Sequence, residues 1–188
     1  MSAEKFLNDY LSDFSELIHP SDYIISDLVQ VRDTIVAANK NRCKTIIVGN
    51  GGSAAMASHF SVDLTKNGGV RCVNFNEADL ITCFANDYGF ERWVEKAVEF
   101  YGDEGDVLIT ISSSGCSKNM LNGCKAARSK KFSTVITFSG FDVDNSLCQL
   151  GDINLWVDSK AYNFVENIHQ IWLLAIVDLI IGSREYSA

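Results

Sequence analysis

The sequence has a single proline, no CxxC pair and no excess of basic residues. One proline among 188 residues, with 47% hydrophobic and 21% charged residues, excludes a disordered or linker-built chain. Lys and Arg number 16 against 24 Asp and Glu, a formal charge of −8. That balance excludes direct binding to a nucleic-acid backbone, which needs clustered cations to neutralise phosphate. It does not exclude a small anion, because backbone N–H groups and helix N-termini hold phosphate without net positive charge. No basic-then-apolar leader is visible, and no uninterrupted apolar run approaches the ~20 residues of a membrane span. A cytoplasmic location without membrane association is therefore expected. Cys43, Cys72, Cys83, Cys116, Cys124 and Cys148 lack the spacing of a disulfide framework. They are expected to be reduced thiols, most of them buried.

What is present is an alternation of textures. Phe6, Leu7, Tyr10, Leu11, Phe14, Leu17 and Ile18 recur at helical spacing, and Pro20 ends that segment. A second helical pattern runs from about 21 to 41. Short β-branched runs then follow at 44–49, 70–75, 106–112, 132–140 and 152–157, with helix-length segments between them and a long apolar helix over 162–181. Nearly continuous apolar strands alternating with helices predict a five-stranded parallel sheet covered on both faces. One domain is expected over 1–188, with an N-terminal helical hairpin in 1–42 and an α/β core with its C-terminal helix in 43–188.

In an open parallel sheet, ligands gather at the carboxyl ends of strands. Two strand exits carry suitable chemistry. Asn50, Gly51, Gly52 and Ser53 let backbone approach a ligand closely, and Ser53 can cap the helix that follows. Ser112, Ser113, Ser114 and Ser117 bring four hydroxyls to another helix start, where unpaired N–H groups also attract an anion. Either exit alone is a weak signal, since a plain turn and cap would read the same. Two in one sheet point to a phosphorylated small molecule. The P-loop lysine and the GxGxxG pattern are both absent, which disfavours nucleotide hydrolysis and dinucleotide binding.

GNGGS at 49–53, HF at 59–60, AND at 85–87, GDV at 105–107 and ISSSG.S at 111–117 resemble the sugar isomerase (SIS) domain, and within it the phosphoheptose isomerase branch. The resemblance runs in order through almost the whole chain. It implies a flavodoxin-like α/β three-layer sandwich, a homotetramer, and conversion of sedoheptulose 7-phosphate for surface polysaccharide. It further implies phosphate held by Ser112, Ser113, Ser114 and Ser117, and sugar held by Asn50, Gly51, Gly52, Ser53 and Asp87, with Asn86 in the same wall.

Moving a proton between adjacent carbons needs a base, and an acid or metal to stabilise the oxyanion. Members of that branch place a His and, one turn later, a Glu base on the helix after GNGGS. Here the positions hold His59 and Asp63, still at i,i+4 on one face but with a carboxylate shorter by one methylene. On the last helix the branch carries a Gln and, eight residues on, a second His. Glu166 and Leu174 stand there instead, and Asn67 replaces an Arg expected after the base. Glu166 and His169 share a helical face at i,i+3, so His59, Asp63, Glu166 and His169 are the candidate catalytic set. The residues specify no definite cofactor, and zinc is a candidate. A catalytic zinc takes three protein ligands, which His59, Asp63 and Glu166 could supply. Two classes remain open: an isomerase working through this rearranged set, or a phosphosugar-binding adaptor that has lost turnover.

Overall fold

The N-terminal hairpin begins at two serines. The Ser2 hydroxyl accepts the Lys5 N–H, and the Ser21 hydroxyl accepts the Ile24 N–H, so each caps the helix that follows it. In the computed structural model, which describes residues 1–186, these helices are α1 (Ala3–Leu17) and α2 (Asp22–Lys40). The core then alternates: β1 (Thr45–Gly49), α3 (Gly52–Lys66), β2 (Cys72–Val73), α4 (Ala78–Tyr88), α5 (Trp93–Tyr101), β3 (Val107–Ser112) and α6 (Lys118–Ser129). It closes with β4 (Thr134–Ser139), β5 (Ile153–Trp156) and α7 (Tyr162–Ile181).

All strand pairings are parallel, in the order β2-β1-β3-β4-β5. Side chains alternate across the sheet, and both faces are buried. Ile47, Ile109, Ile111, Ile136 and Phe138 pack with α2, α3 and α7, around Phe60, Leu64 and Ile168. Ile46, Val48, Leu108 and Val135 pack on the other side with Trp93 and Val94 of α5 and Met120 and Cys124 of α6. This is the predicted three-layer sandwich. The strand order reverses between β1 and β3, and such a switch point opens a crevice at the carboxyl ends of the strands.

Three details differ from expectation. The run at 70–75 gives only a two-residue strand, because side chains draw the rest of it to α3. Asn74 donates to Ser61, and Asn76 donates to the Ala54 carbonyl and the Ser58 hydroxyl. The six cysteines are free thiols, but only Cys72 and Cys124 are buried, and Cys83 and Cys116 are exposed. Apolar neighbours in sequence overstated their burial because Cys83 lies on α4, a helix with no fully buried residue. By length and composition α7 could cross a membrane. Here it is a core helix, burying Phe164, Val165, Ile168, Trp172, Leu173, Ile176 and Val177.

The first helix of the hairpin is loosely built into one chain, whereas α2 buries Leu28, Val31 and Ile35. No residue of α1 is buried, and Phe6, Leu7 and Leu11 are more than half exposed. It is held through Phe14 and Leu17 and by the edge of Tyr10 on Phe164, ring centroids 4.5 Å apart.

Candidate functional site

The two loops at the switch point are held differently. After β1, Gly51 takes φ 53° and ψ −120°, a conformation that a side chain would strain. Asn50 is clasped by Asn119 of α6 through two reciprocal amide bonds of 3.1 and 2.8 Å, which tie the first loop to the helix after the second. Gly51 occupies the cap position and gives no side-chain cap. Ser53 lies inside α3, which corrects the expected capping role.

After β3, the Ser112 hydroxyl donates to Ser117 Oγ at 3.0 Å, and Ser114 Oγ accepts the Cys116 N–H. Gly115 has φ 65°, and a Cβ there would fall on the side chain of Asn145. Asn145 is buried and braces the loop. It donates to Ser139 Oγ and to the carbonyls of Gly140 and Asp142, and it accepts the N–H groups of Leu147 and Cys148. Leu147 in turn donates to the Gly115 carbonyl. Ser117 caps α6 without a side-chain bond of its own to the helix, and the Met120 N–H donates to the Ser117 carbonyl, which leaves the Lys118 and Asn119 amides for an anion.

Ser112, Ser113, Ser114 and Ser117 line one cleft of about 120 Å³ with Asn50 and Ser53. Glu166 and Tyr162, from the first turns of α7, close its other side. A Cβ at Gly52 would meet the Glu166 carboxylate, so this glycine lets α7 lie against the N-terminus of α3. The cleft can take a phosphate on hydroxyls and helix-terminal N–H groups. At about 120 Å³ it is smaller than the ~300 Å³ at which ligand pockets begin.

A second group lies further along α3. Asp63 Oδ2 is 3.1 Å from His59 Nε2, and the Asn67 amide reaches Asp63 Oδ1 at 3.4 Å. Gln170 of α7 stands on the other side of the imidazole, its Nε2 3.2 Å from His59 Nδ1. The expected metal set does not assemble. Glu166 sits at Gly52, and His59 and Asp63 are seven and eleven residues further on, roughly 10 and 16 Å of helix rise. Among the described residues no group of three His, Cys, Asp or Glu is placed to hold a metal. Within one chain, these donors do not form a three-ligand zinc site.

His169 also falls outside the site. It is fully buried, lies edge-on to Phe138, and its Nε2 meets the Ser139 carbonyl at 3.0 Å. Burial pushes its pKa down to about 4, against a partial upward pull from the Ser139 carbonyl. Its proton is then favoured in the unfolded chain, so stability should fall as pH drops from about 6.5 towards 4, by up to about 3 kcal/mol from this group. Denaturant unfolding across that range should show His169→Gln lacking this component. Equal slopes in both proteins would contradict it. Asn86 and Asp87 are exposed at the end of α4, bonded to each other at 2.9 Å and absent from the cleft lining. The single chain does not bring them to the serines.

Asn119, Asn145, Tyr162 and Gln170 are site residues that the sequence reading passed over. Two had a usable signal: Asn119 follows Ser117 by two residues, and Gln170 is at i+4 from Glu166 and so on its face.

A profile of the SIS domain matches residues 9–140. A phosphoheptose isomerase of Hamiltonella defensa is 31% identical over 188 residues, covering 97% of this chain and 86% of that protein. Another from Histophilus somni is 32% identical, covering 95% and 88%. Among solved structures, a phosphoheptose isomerase from Francisella tularensis superposes with a TM-score of 0.90 at 25% identity, covering 97% of this chain and all of that one. One from Neisseria gonorrhoeae gives 0.88 at 27%, covering 95% and 99%.

Proposed function

The chain belongs to the SIS domain family, and from that premise we propose that it is a sugar-phosphate isomerase of the phosphoheptose type. It would interconvert sedoheptulose 7-phosphate, or a related ketose phosphate, and its aldose isomer. The observation that carries this is the arrangement along α3. A braced anion cleft stands at its N-terminus, and an ionisable pair, His59 and Asp63, lies one face further along the same helix. Asp63 lies farther along α3 from this cleft than a seven-carbon chain spans, so the cleft of one copy would work with the His59–Asp63 pair of a neighbouring copy.

Ser112, Ser113, Ser114 and Ser117 would hold the phosphate, with Asn50, Gly51, Gly52 and Ser53 on the sugar. Glu166, beside the phosphate position, is better suited to accepting hydroxyl protons in hydrogen bonds than to abstracting a proton at the far end. Asp63 would take the proton from the carbon next to the carbonyl and return it to its neighbour. His59 would hold that carboxylate in place. The reaction would take place in the cytoplasm, a setting consistent with six free thiols.

The cleft's small size and the exposed apolar face of α1 support a homotetramer in which further copies complete the site, Asn86 and Asp87 included. A monomer by light scattering at micromolar concentration would refute that assembly.

The isomerase reading is tested by incubating the protein with sedoheptulose 7-phosphate in deuterated water. Deuterium should enter beside the carbonyl even where the net equilibrium is unfavourable. Leu174, apolar where the branch has a second His, favours one other reading, a phosphosugar-binding adaptor. Measurable binding with no exchange for any phosphosugar would establish it in place of the enzyme.

A further inference from the structure

His59 has both ring nitrogens engaged, and the partners dictate which one carries the proton. Nε2 faces Asp63 Oδ2 at 3.1 Å, and an ionised carboxylate only accepts hydrogen bonds. In the neutral ring Nε2 is therefore the protonated nitrogen, and Nδ1 presents a lone pair. The group at Nδ1 is the Gln170 side chain, with its Nε2 3.2 Å away. Of the two ends of that amide only the NH2 can donate, so its orientation and the imidazole tautomer support each other. The chain of donors runs from Gln170 to His59 and from His59 to Asp63, and Asn67 supplies a second donor to the same carboxylate at 3.4 Å.

His59 is itself poorly held by packing, since its side chain is 54% exposed. Without Gln170 the ring could turn over or shift its proton to Nδ1, leaving two acceptors, Nε2 and Asp63, face to face. The backbone of Gln170 is fixed. The residue is half-buried on α7 between the buried His169 and the exposed Ile171, on a helix fixed to the sheet through Val165, Ile168, Trp172 and Leu173.

We propose that Gln170 is a positioning residue: its amide, donating to His59 Nδ1, selects the Nε2–H tautomer that holds the Asp63 carboxylate for proton transfer. The proposal rests on the isomerase reading for its catalytic consequence, and on hydrogen-bond geometry alone for the tautomer. It also gives a physical reason why a carboxylate one methylene shorter can serve. A short side chain has fewer torsions to fix, and here two donors fix it from either side.

The chain has three histidines, so imidazole nitrogen signals in 15N-labelled protein can be assigned by replacing each in turn. At a pH where His59 is neutral, the wild type should show it protonated on Nε2. Gln170→Leu should give a mixture of the two tautomers. Gln170→Glu puts an acceptor opposite Nδ1 and should place a proton on that nitrogen. In kinetics, loss of a partner that positions the base should cost part of the ~10²–10⁴-fold general-base contribution, roughly 10-fold or more in kcat, with KM little changed. Gln170→Glu should not restore it, although it is nearly isosteric. A purely structural role for Gln170 would move stability but leave the tautomer as it was. An unchanged His59 pattern in both variants overturns the proposal. So does a wild type protonated on Nδ1. Should the wild type exchange no deuterium with any phosphosugar, the isomerase reading fails, and the nitrogen spectra still decide whether Gln170 sets the tautomer.

Discussion

Asp63→Asn is expected to lower deuterium incorporation into the ketose phosphate by ~10²–10⁴-fold, the usual contribution of a positioned general base. The substitution keeps the shape and the Nε2–H contact from His59, because the amide oxygen can still accept. What it removes is basicity, so substrate affinity should change little. Glu166→Gln should behave in the opposite way. Glu166 borders the phosphate cleft, and its charge weakens anion binding there, so its neutral analogue should alter KM more than kcat. Single-turnover exchange and calorimetric binding on both variants separate the two roles. If Glu166→Gln abolishes exchange and Asp63→Asn spares it, the base has been assigned to the wrong carboxylate.

Gly115→Ala is expected to destabilise the protein by about 5 kcal/mol, enough to unfold many domains of this size. Two effects add. A φ of 65° costs a non-glycine residue about 1–2 kcal/mol. The new methyl group would also occupy space held by the Asn145 side chain, displacing a buried amide whose two N–H groups are shared among three acceptors and whose oxygen accepts two N–H groups, at about 1 kcal/mol per hydrogen bond, not all of which would be lost. Removing the obstacle should reveal the coupling. Asn145→Ala is itself destabilising, because it leaves the Leu147 and Cys148 N–H groups without that partner. The double variant should nevertheless lose less than the sum of the two single losses. Denaturant titration measures all three. A loss below about 2 kcal/mol for Gly115→Ala would mean that only backbone strain is at work and that Asn145 gives way freely.

The parallel sheet was legible because buried strands are written as unbroken apolar runs, and KTIIVG and DVLITIS have few other readings. The loops were legible because glycine and serine runs at strand ends mark where backbone must turn and stay polar. Asn145 was not, since it acts on Gly115 from thirty residues away and sits in an irregular stretch without periodicity. His169 shows a different limit. Spacing of i,i+3 places two side chains about 60° apart around a helix. On a helix with one wet face that still means the same surroundings. But α7 is packed along the sheet and against α2 and α3, and 60° carries the ring from the cleft, where Glu166 stands, to the core beneath Ser139. The altered residues Asp63, Glu166 and Leu174 were plain in the sequence, but what accompanies them was not. Gln170 matters only because α7 lies beside α3, a neighbourhood that no local pattern encodes.

The sheet divides the site as well as the core. Ser117 and Asn119 lead into α6 on one face, whereas His59, Asp63, Glu166 and Gln170 stand on α3 and α7 on the other. On the proposed reading, the serine loop with α6 and the His59–Asp63 pair would thus be mounted on separate layers, with the reciprocal Asn50–Asn119 clasp as the seam and Ser53 and Glu166 reaching the cleft from the second layer. Changes at His59 and Asp63 need not be felt at the serines. A lineage could exchange, weaken or discard its proton-handling side chains while its grip on a phosphorylated sugar stayed intact, turning a catalyst into a receptor, or back again, in a few substitutions on one side of a sheet.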